Sequence, residues 1–212
     1  MKIKILVFTV IALVISSAAY AIPFGFHQIT NNNAADAAIG EAQLSVDVTD
    51  AGDNQVLFTF LNAGPYASSI CDVYFDDGPL LGIADIINTE GIVEFSQYAS
   101  PGNLPSGNTL ADPFVTTEGF SADSDNPVQP MGVNPGESLG ILFDLLNEQS
   151  FEDVISSLNT GELRIGIHVQ GFATGASESY VNDTPPPVPE PATLLLLGSG
   201  LLGLAGFRKR SK

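Results

Sequence analysis

The chain is predicted to fold as a mainly β protein, an antiparallel β-sandwich with one short helix, and three observations carry that expectation. Apolar and polar residues alternate with period two in several short runs. The cleanest is Leu163, Ile165, Ile167 and Val169 interleaved with Arg164, Gly166, His168 and Gln170. Clusters of Asp, Asn, Gly and Pro supply turns between the runs. A single short segment among them has helical spacing. Roughly seven to nine strands at such intervals suit two antiparallel layers better than a parallel sheet with crossover helices.

At the N-terminus, Lys2 and Lys4, the apolar stretch from Ile5 to Ile15 and the small residues of Ala19-Tyr20-Ala21 have the three parts of a secretory signal helix over residues 1–21. Cleavage after Ala21 would leave Ile22 first, with signal peptidase and the export machinery as partners. Residues 22–40 show no clear period and read as a lead-in to a β domain over 41–181. Leu44, Val46 and Val48, the turn residues Asp50 to Asn54, and Val56, Phe58 and Phe60 predict a hairpin with one buried face. Cys71, Val73 and Phe75 predict a third strand, closed by Asp76-Asp77-Gly78-Pro79.

Residues 92–95 predict a short strand, and the Pro-, Gly- and Asn-rich stretch from 100 to 136 is long enough to need another, expected at 114–117. Leu139, Ile141, Phe143 and Leu145 predict a core strand. Ser150 and Asp153 approximate a capping box for a helix whose apolar face is Phe151, Val154, Ile155 and Leu158, ending near Gly161. After the period-two run and Val181, residues 182–188 read as an extended Pro-rich linker.

Charge narrows the range of partners. Between Ile22 and Pro191 lie all 24 acidic residues and one basic residue, Arg164, a net charge of −23. Binding to nucleic acid or to an anionic lipid surface is excluded on electrostatic grounds. Such charge serves solubility, with Arg164 expected in an ion pair on an exposed sheet face. The single cysteine, Cys71, precludes an intramolecular disulfide and reads as a small buried apolar residue.

Candidate chemistry is sparse. Gly136-Glu137-Ser138-Leu139-Gly140 spells the G-x-S-x-G nucleophile elbow, and Asp144 or Asp153 and then His168 follow in hydrolase order. An elbow, however, needs a strand before the serine and a helix after it, and here a turn precedes and a strand follows. Gly198-Ser199-Gly200-Leu201-Leu202-Gly203 spells a dinucleotide fingerprint with no strand–helix context. Asp50 with Asp53, and Asp123 with Asp125, cluster hard oxygen donors in turns and are weak Ca²⁺ candidates without EF-hand spacing. His27 and His168 are far apart in sequence and suggest no transition-metal site. No cofactor is expected.

The last residues carry the most specific signal. Val188, Pro189, Glu190 and Pro191 precede an apolar run over 192–207 and the basic cluster Arg208, Lys209 and Arg210 in the tail 208–212. As a helix that run would reach about 24 Å against a hydrocarbon core of roughly 30 Å. The basic cluster would stop it on the cytoplasmic side, leaving the rest of the chain outside. Residues 189–212 resemble the PEP-CTERM sorting domain. The resemblance implies an exported protein of a Gram-negative bacterium, recognised near Pro-Glu-Pro by exosortase, a membrane-embedded transpeptidase-like enzyme. It further implies an inner-membrane precursor delivered to the envelope or extracellular matrix, where such proteins accompany exopolysaccharide.

Two internal segments, Ser100-Pro101-Gly102-Asn103-Leu104-Pro105 and the run from Gly161 to Phe172, are similar to segments of other proteins with this tail. They imply a β-rich subfamily and no activity. The expectation is therefore a non-enzymatic surface or matrix protein associated with exopolysaccharide or biofilm. The alternatives are a Ca²⁺-assisted glycan-binding module, disfavoured by the lack of Trp, and a hydrolase using Ser138.

Overall fold

Alternation of the predicted kind buries one face of each strand, and in the computed structural model, which describes residues 20–76, 81–89, 91–146 and 148–183, the buried faces meet in one core. Ten strands form a continuous antiparallel sheet: β1 (Ile22–Gln28), β2 (Leu44–Gly52), β3 (Gln55–Asn62), β4 (Ser69–Asp76), β5 (Leu81–Ile87), β6 (Phe95–Gln97), β7 (Ser121–Ser124), β8 (Ser138–Leu145), β9 (Arg164–Gln170) and β10 (Glu178–Asn182). Their spatial order is β5-β8-β3-β2-β1-β10-β9-β4-β7-β6.

The sheet folds over on itself. Phe75 of β4 lies 5.2 Å from Phe58 of β3 and 4.7 Å from Phe143 of β8, ring centroid to centroid, all edge-on. Residues far apart in the strand order thus face one another across the core, and the edge strands β5 and β6 approach each other. The antiparallel all-β expectation is met. The two halves that face each other are joined through β1, which belongs to both: Ile22 to Gly25 pair with β2, and Phe26 to Gln28 pair with β10.

The predicted hairpin forms, with Val46 opposite Phe60 and Val48 opposite Phe58. Its turn places Asp53 and Asn54 at φ of 49° and 62°, the left-handed pair of a tight hairpin turn. The third, core and period-two strands appear as β4, β8 and β9. The turn at 76–79 lies largely outside the described residues.

The predicted helix is α3 (Phe151–Thr160), with the full capping box. Asp153 accepts the Ser150 N–H at 2.8 Å, and Ser150 Oγ accepts the Asp153 N–H at 3.3 Å. Gly161 ends α3 with φ of 78°, a conformation glycine adopts without strain.

Several expectations are corrected. The stretch 22–40 is no lead-in: it supplies β1, at the centre of the sheet, and most of α1 (Ala34–Gln43). Asn33 caps α1 by accepting the Ala35 N–H at 2.9 Å. Residues 92–95 contribute only the start of β6, with Val93 in an isolated bridge to Thr89. Residues 114–117 are not a strand; the long stretch instead holds β7 and the single-turn α2 (Val128–Met131). Residues 178–182 form β10, so the linker follows Asn182 instead of including it. No helix among the described residues is long and apolar enough to cross a membrane. Residues 1–19 and 192–207, expected to form the signal and transmembrane helices, lie outside them.

Candidate functional site

The two halves of the sheet differ on their outer faces, and the second half carries nearly all the specific polar chemistry. Residues 98–117 cross the outer face of β4, β9 and β10 and bury a small second core of Tyr74, Ala99, Leu104, Phe114 and Val181. That crossing requires a glycine beneath it. A Cβ on Gly166 would stand 2.7 Å from Leu104 and 3.1 Å from Phe114, inside van der Waals contact. The two segments singled out in the sequence, 100–105 and 161–172, therefore meet at Leu104 and Gly166.

Arg164 pins the same loop. Its guanidinium pairs with Asp76, donates at 2.8 Å to the carbonyls of Asp112 and Pro113, and lies 5.4 Å from the centre of the Phe114 ring. The expected ion pair is present, but not on an exposed face: both side chains are largely buried beneath the loop, and the planar fork also binds two of the loop's carbonyls. Tyr74 completes the attachment by donating to the Pro101 carbonyl at 3.0 Å.

Beside the loop, register brings together groups that are distant in sequence. Asp72 of β4 lies opposite Asp123 of β7 on one side and His168 of β9 on the other. His168 Nδ1 is 2.9 Å from Asp72, which is almost fully buried. Asp123 sits beside Asp72 in the β4–β7 register, so two carboxyls meet there. Burial, then the Asp72 charge and a hydrogen bond with it, push the Asp123 carboxyl up to about 6, while the Ser100 N–H it accepts opposes the rise. The row is a hydrogen-bonded clamp between three strands and the start of the loop.

Cys71 is the extra residue of a bulge between Ile70 and Asp72. Burial pushes its thiol up to about 11, which keeps it protonated and unreactive at neutral pH.

The other candidates are dispersed. Asp50 accepts the Gly52 N–H at 2.9 Å, a local turn bond in the hairpin that also holds Asp53. Asp125 accepts from Ser96 at 2.8 Å, while Asp123 turns to Asp72, so the two do not converge. No group of three or more His, Cys, Asp or Glu among the described residues is arranged to hold a metal ion. Ser138 is exposed at the start of β8, opposite Leu61, whereas His168 lies on β9 and is bonded to Asp72. The structure brings no acid–base partner from the expected hydrolase series to Ser138.

At the exit of the chain, β10 lies between β1 and β9 and ends at Asn182. Asp183 donates its N–H to the Gly25 carbonyl at 2.9 Å and holds His27 Nδ1 at 2.9 Å. Ala21 directly precedes β1, so the strand begins at the residue that the expected signal cleavage would expose. Ala19, Val188, Pro189, Glu190, Pro191, Arg208, Lys209 and Arg210 lie outside the described residues. A folded antiparallel β domain with a targeting segment at its C-terminus defines the class: a passenger domain with a sorting tail.

Residues 187–210 match the PEP-CTERM protein-sorting motif. The chain thus carries the tag of exported proteins that exosortase processes for the envelope or the exterior. No curated protein and no solved structure matches the chain.

Proposed function

We propose that this protein is a non-enzymatic structural component of the bacterial surface or extracellular matrix, held in the inner membrane as a precursor and released to an exopolysaccharide-containing layer. The observation that carries the reading is the sorting motif at residues 187–210, which starts shortly after β10 ends at Asn182. Residues 183–188 separate that strand from Pro189; even fully extended, they reach only about 20 Å. The β domain is therefore presented close to the processing site, as a folded body with a short tether.

The domain's composition supports the same reading. The −23 charge from Ile22 to Pro191 keeps it soluble and self-repelling, and the core holds it together without a disulfide. The polar groups that draw attention in sequence make structural bonds: Arg164 and Asp123 secure a loop, and Asp50 secures a turn.

Intact-mass analysis of the protein recovered from the producing cell tests the route. The expected species begins at Ile22 and lacks everything beyond the Pro189-Glu190-Pro191 region. Replacing those three residues by Ala should leave an uncut precursor in the inner membrane. A full-length product found soluble inside the cell would refute the proposal.

A further inference from the structure

The outer face of the first half of the sheet is apolar at its centre and acidic at its rim, and it is left out of both cores. Leu57 and Leu61 of β3 and Leu142 of β8 point away from the main core, alternating with Phe58, Phe60, Ile141 and Phe143, which point into it. Register places Leu57 opposite Leu142, and Gly140 next to Ile87 of β5. Gly140 lets Ile87 and Leu57 close over it, at 3.2 and 3.4 Å from where its Cβ would be, which makes the stripe continuous. Ile87 is 46% exposed and Leu146 43% exposed, and neither belongs to either buried cluster.

Around this stripe stand Asp47 of β2, Asp85 of β5 and Asp144 of β8. The one basic residue between Ile22 and Pro191, Arg164, is engaged on the other half.

The second half shows what such a face accepts. There a crossing segment places Leu104 and Phe114 at the centre, and the sheet's own Arg164, paired with Asp76, holds the segment's carbonyls at the edge; on the first half the sheet offers only carboxylates, so the cation must come from the segment. We propose that the outer face of β3, β8 and β5 is a docking surface for an extended segment of another protein that presents aliphatic or aromatic side chains flanked by Lys or Arg. Charge complementarity selects that partner. A second copy of this chain would bring two rims of carboxylates together with no cation between them, and anionic lipid is repelled for the same reason. The aliphatic stripe provides desolvation at the centre, and the aspartates provide steering and register at the rim. This inference concerns the folded domain and stands apart from the route of export.

The test uses the full chain and a nine-residue peptide of alternating Lys and Leu, with a Lys–Ser peptide of equal charge as control. Fluorescence anisotropy at about 0.3 M salt screens charge attraction beyond a few Å. The Lys–Leu peptide is expected to bind at least tenfold more tightly than the Lys–Ser peptide. Leu57→Ser with Leu142→Ser should remove that advantage, and Asp85→Asn with Asp144→Asn should weaken binding and flatten its salt dependence. If the double serine variant fails to fold, Ile87→Ser serves in its place with a loss of roughly threefold, because it removes a half-exposed side chain.

Equal affinity for both peptides would overturn the proposal, as would unchanged affinity in a folded stripe variant. Dimerisation of the wild-type chain by analytical ultracentrifugation, abolished by the stripe substitutions, would assign the face to a second copy and also overturn it.

Discussion

The two halves of the sheet share one core and differ outside it. In β2, β3 and β8 each strand alternates a buried apolar residue with a half-buried or exposed one, and the outer face is bare among the described residues. In β4 and β10 nearly every residue is buried, because a loop covers the outer face as the opposing half covers the inner one, while β9 between them leaves Arg164, His168 and Gln170 partly buried. Burial of both faces in β4 and β10 thus reports two covers, whereas β9 keeps its period-two alternation even beneath the loop, with Gly166 making room for it. The first half is held mainly by desolvation, with its buried side-chain bonds gathered at Asn62 at the end of β3, and the second by desolvation plus the directional bonds that secure its loop. That difference predicts which substitutions each half tolerates.

The largest effect should come from the ring that joins the halves. Phe75→Ala removes the side chain in edge contact with Phe58, Phe60 and Phe143 and leaves a cavity between the layers. The expected loss is about 3–5 kcal/mol by chemical denaturation, in a single transition, since the two halves share the main core. Two separate transitions would break the view of the halves as one cooperative body.

Next in size is Arg164→Ala, which acts on the covered half only. Losing the Asp76 pair, two carbonyl contacts and the Phe114 stacking should cost about 2–4 kcal/mol and should open residues 98–117 to protease before global unfolding. Arg164→Lys keeps the charge but not the fork, and should recover less than half of the loss. Proteolysis that begins elsewhere would mean that the loop is not secured by this residue.

These two variants also mark where the sequence was legible. The hairpin of β2 and β3, the strands β4, β8 and β9 and the capped helix α3 followed from period and capping, because there the local pattern and the burial agree. β1 was missed because Pro23 and Gly25 sit between the inward-facing Ile22, Phe24 and Phe26 and look like breakers. They are tolerated because the strand changes partner at Gly25 and Phe26, pairing with each neighbour over only part of its length.

β10 was missed for a different reason: three of its five residues are polar, yet all are buried. Glu178 accepts from Thr30, Asn32 and Asn33, and Asn182 accepts the Ile165 N–H, so their burial is compensated by partners that only the fold supplies. β7, only Ser121 to Ser124, is fixed by its neighbours and not by its own composition. The sorting tail was legible because it is a linear signal. The row of Asp123, Asp72 and His168 was not, since register across three strands creates it.

Titration of that row sharpens the comparison further. With Asp123 raised from 3.8 to about 6, the folded state holds a proton that the unfolded chain has released over this interval. Stability should therefore fall as pH rises from about 4 to about 6, and the penalty is fully present above that. Asp123→Asn keeps an acceptor for the Ser100 N–H but removes the charge. The variant should be more stable at pH 7 by about 1 kcal/mol, a figure already reduced for solvent screening of a partly exposed group. It should also lose the slope between pH 4 and 6 in melting temperature. An unchanged slope would place its source in another group.

The smallest effect belongs to the bare half. Ser138 is exposed at the first position of β8, opposite Leu61 and on the same outer face as Gly140 and Leu142. Its replacement by Ala removes a solvated hydroxyl from a strand end, and such changes fall within about 0.5 kcal/mol. Ser138→Ala should therefore leave the melting curve unchanged, and the background rate in an ester hydrolysis assay should be the same with and without the hydroxyl. A drop in that hydrolysis would mean that this face performs chemistry. The contrast between a half built on directional bonds and a half built on apolar contact would then fail at its simplest point.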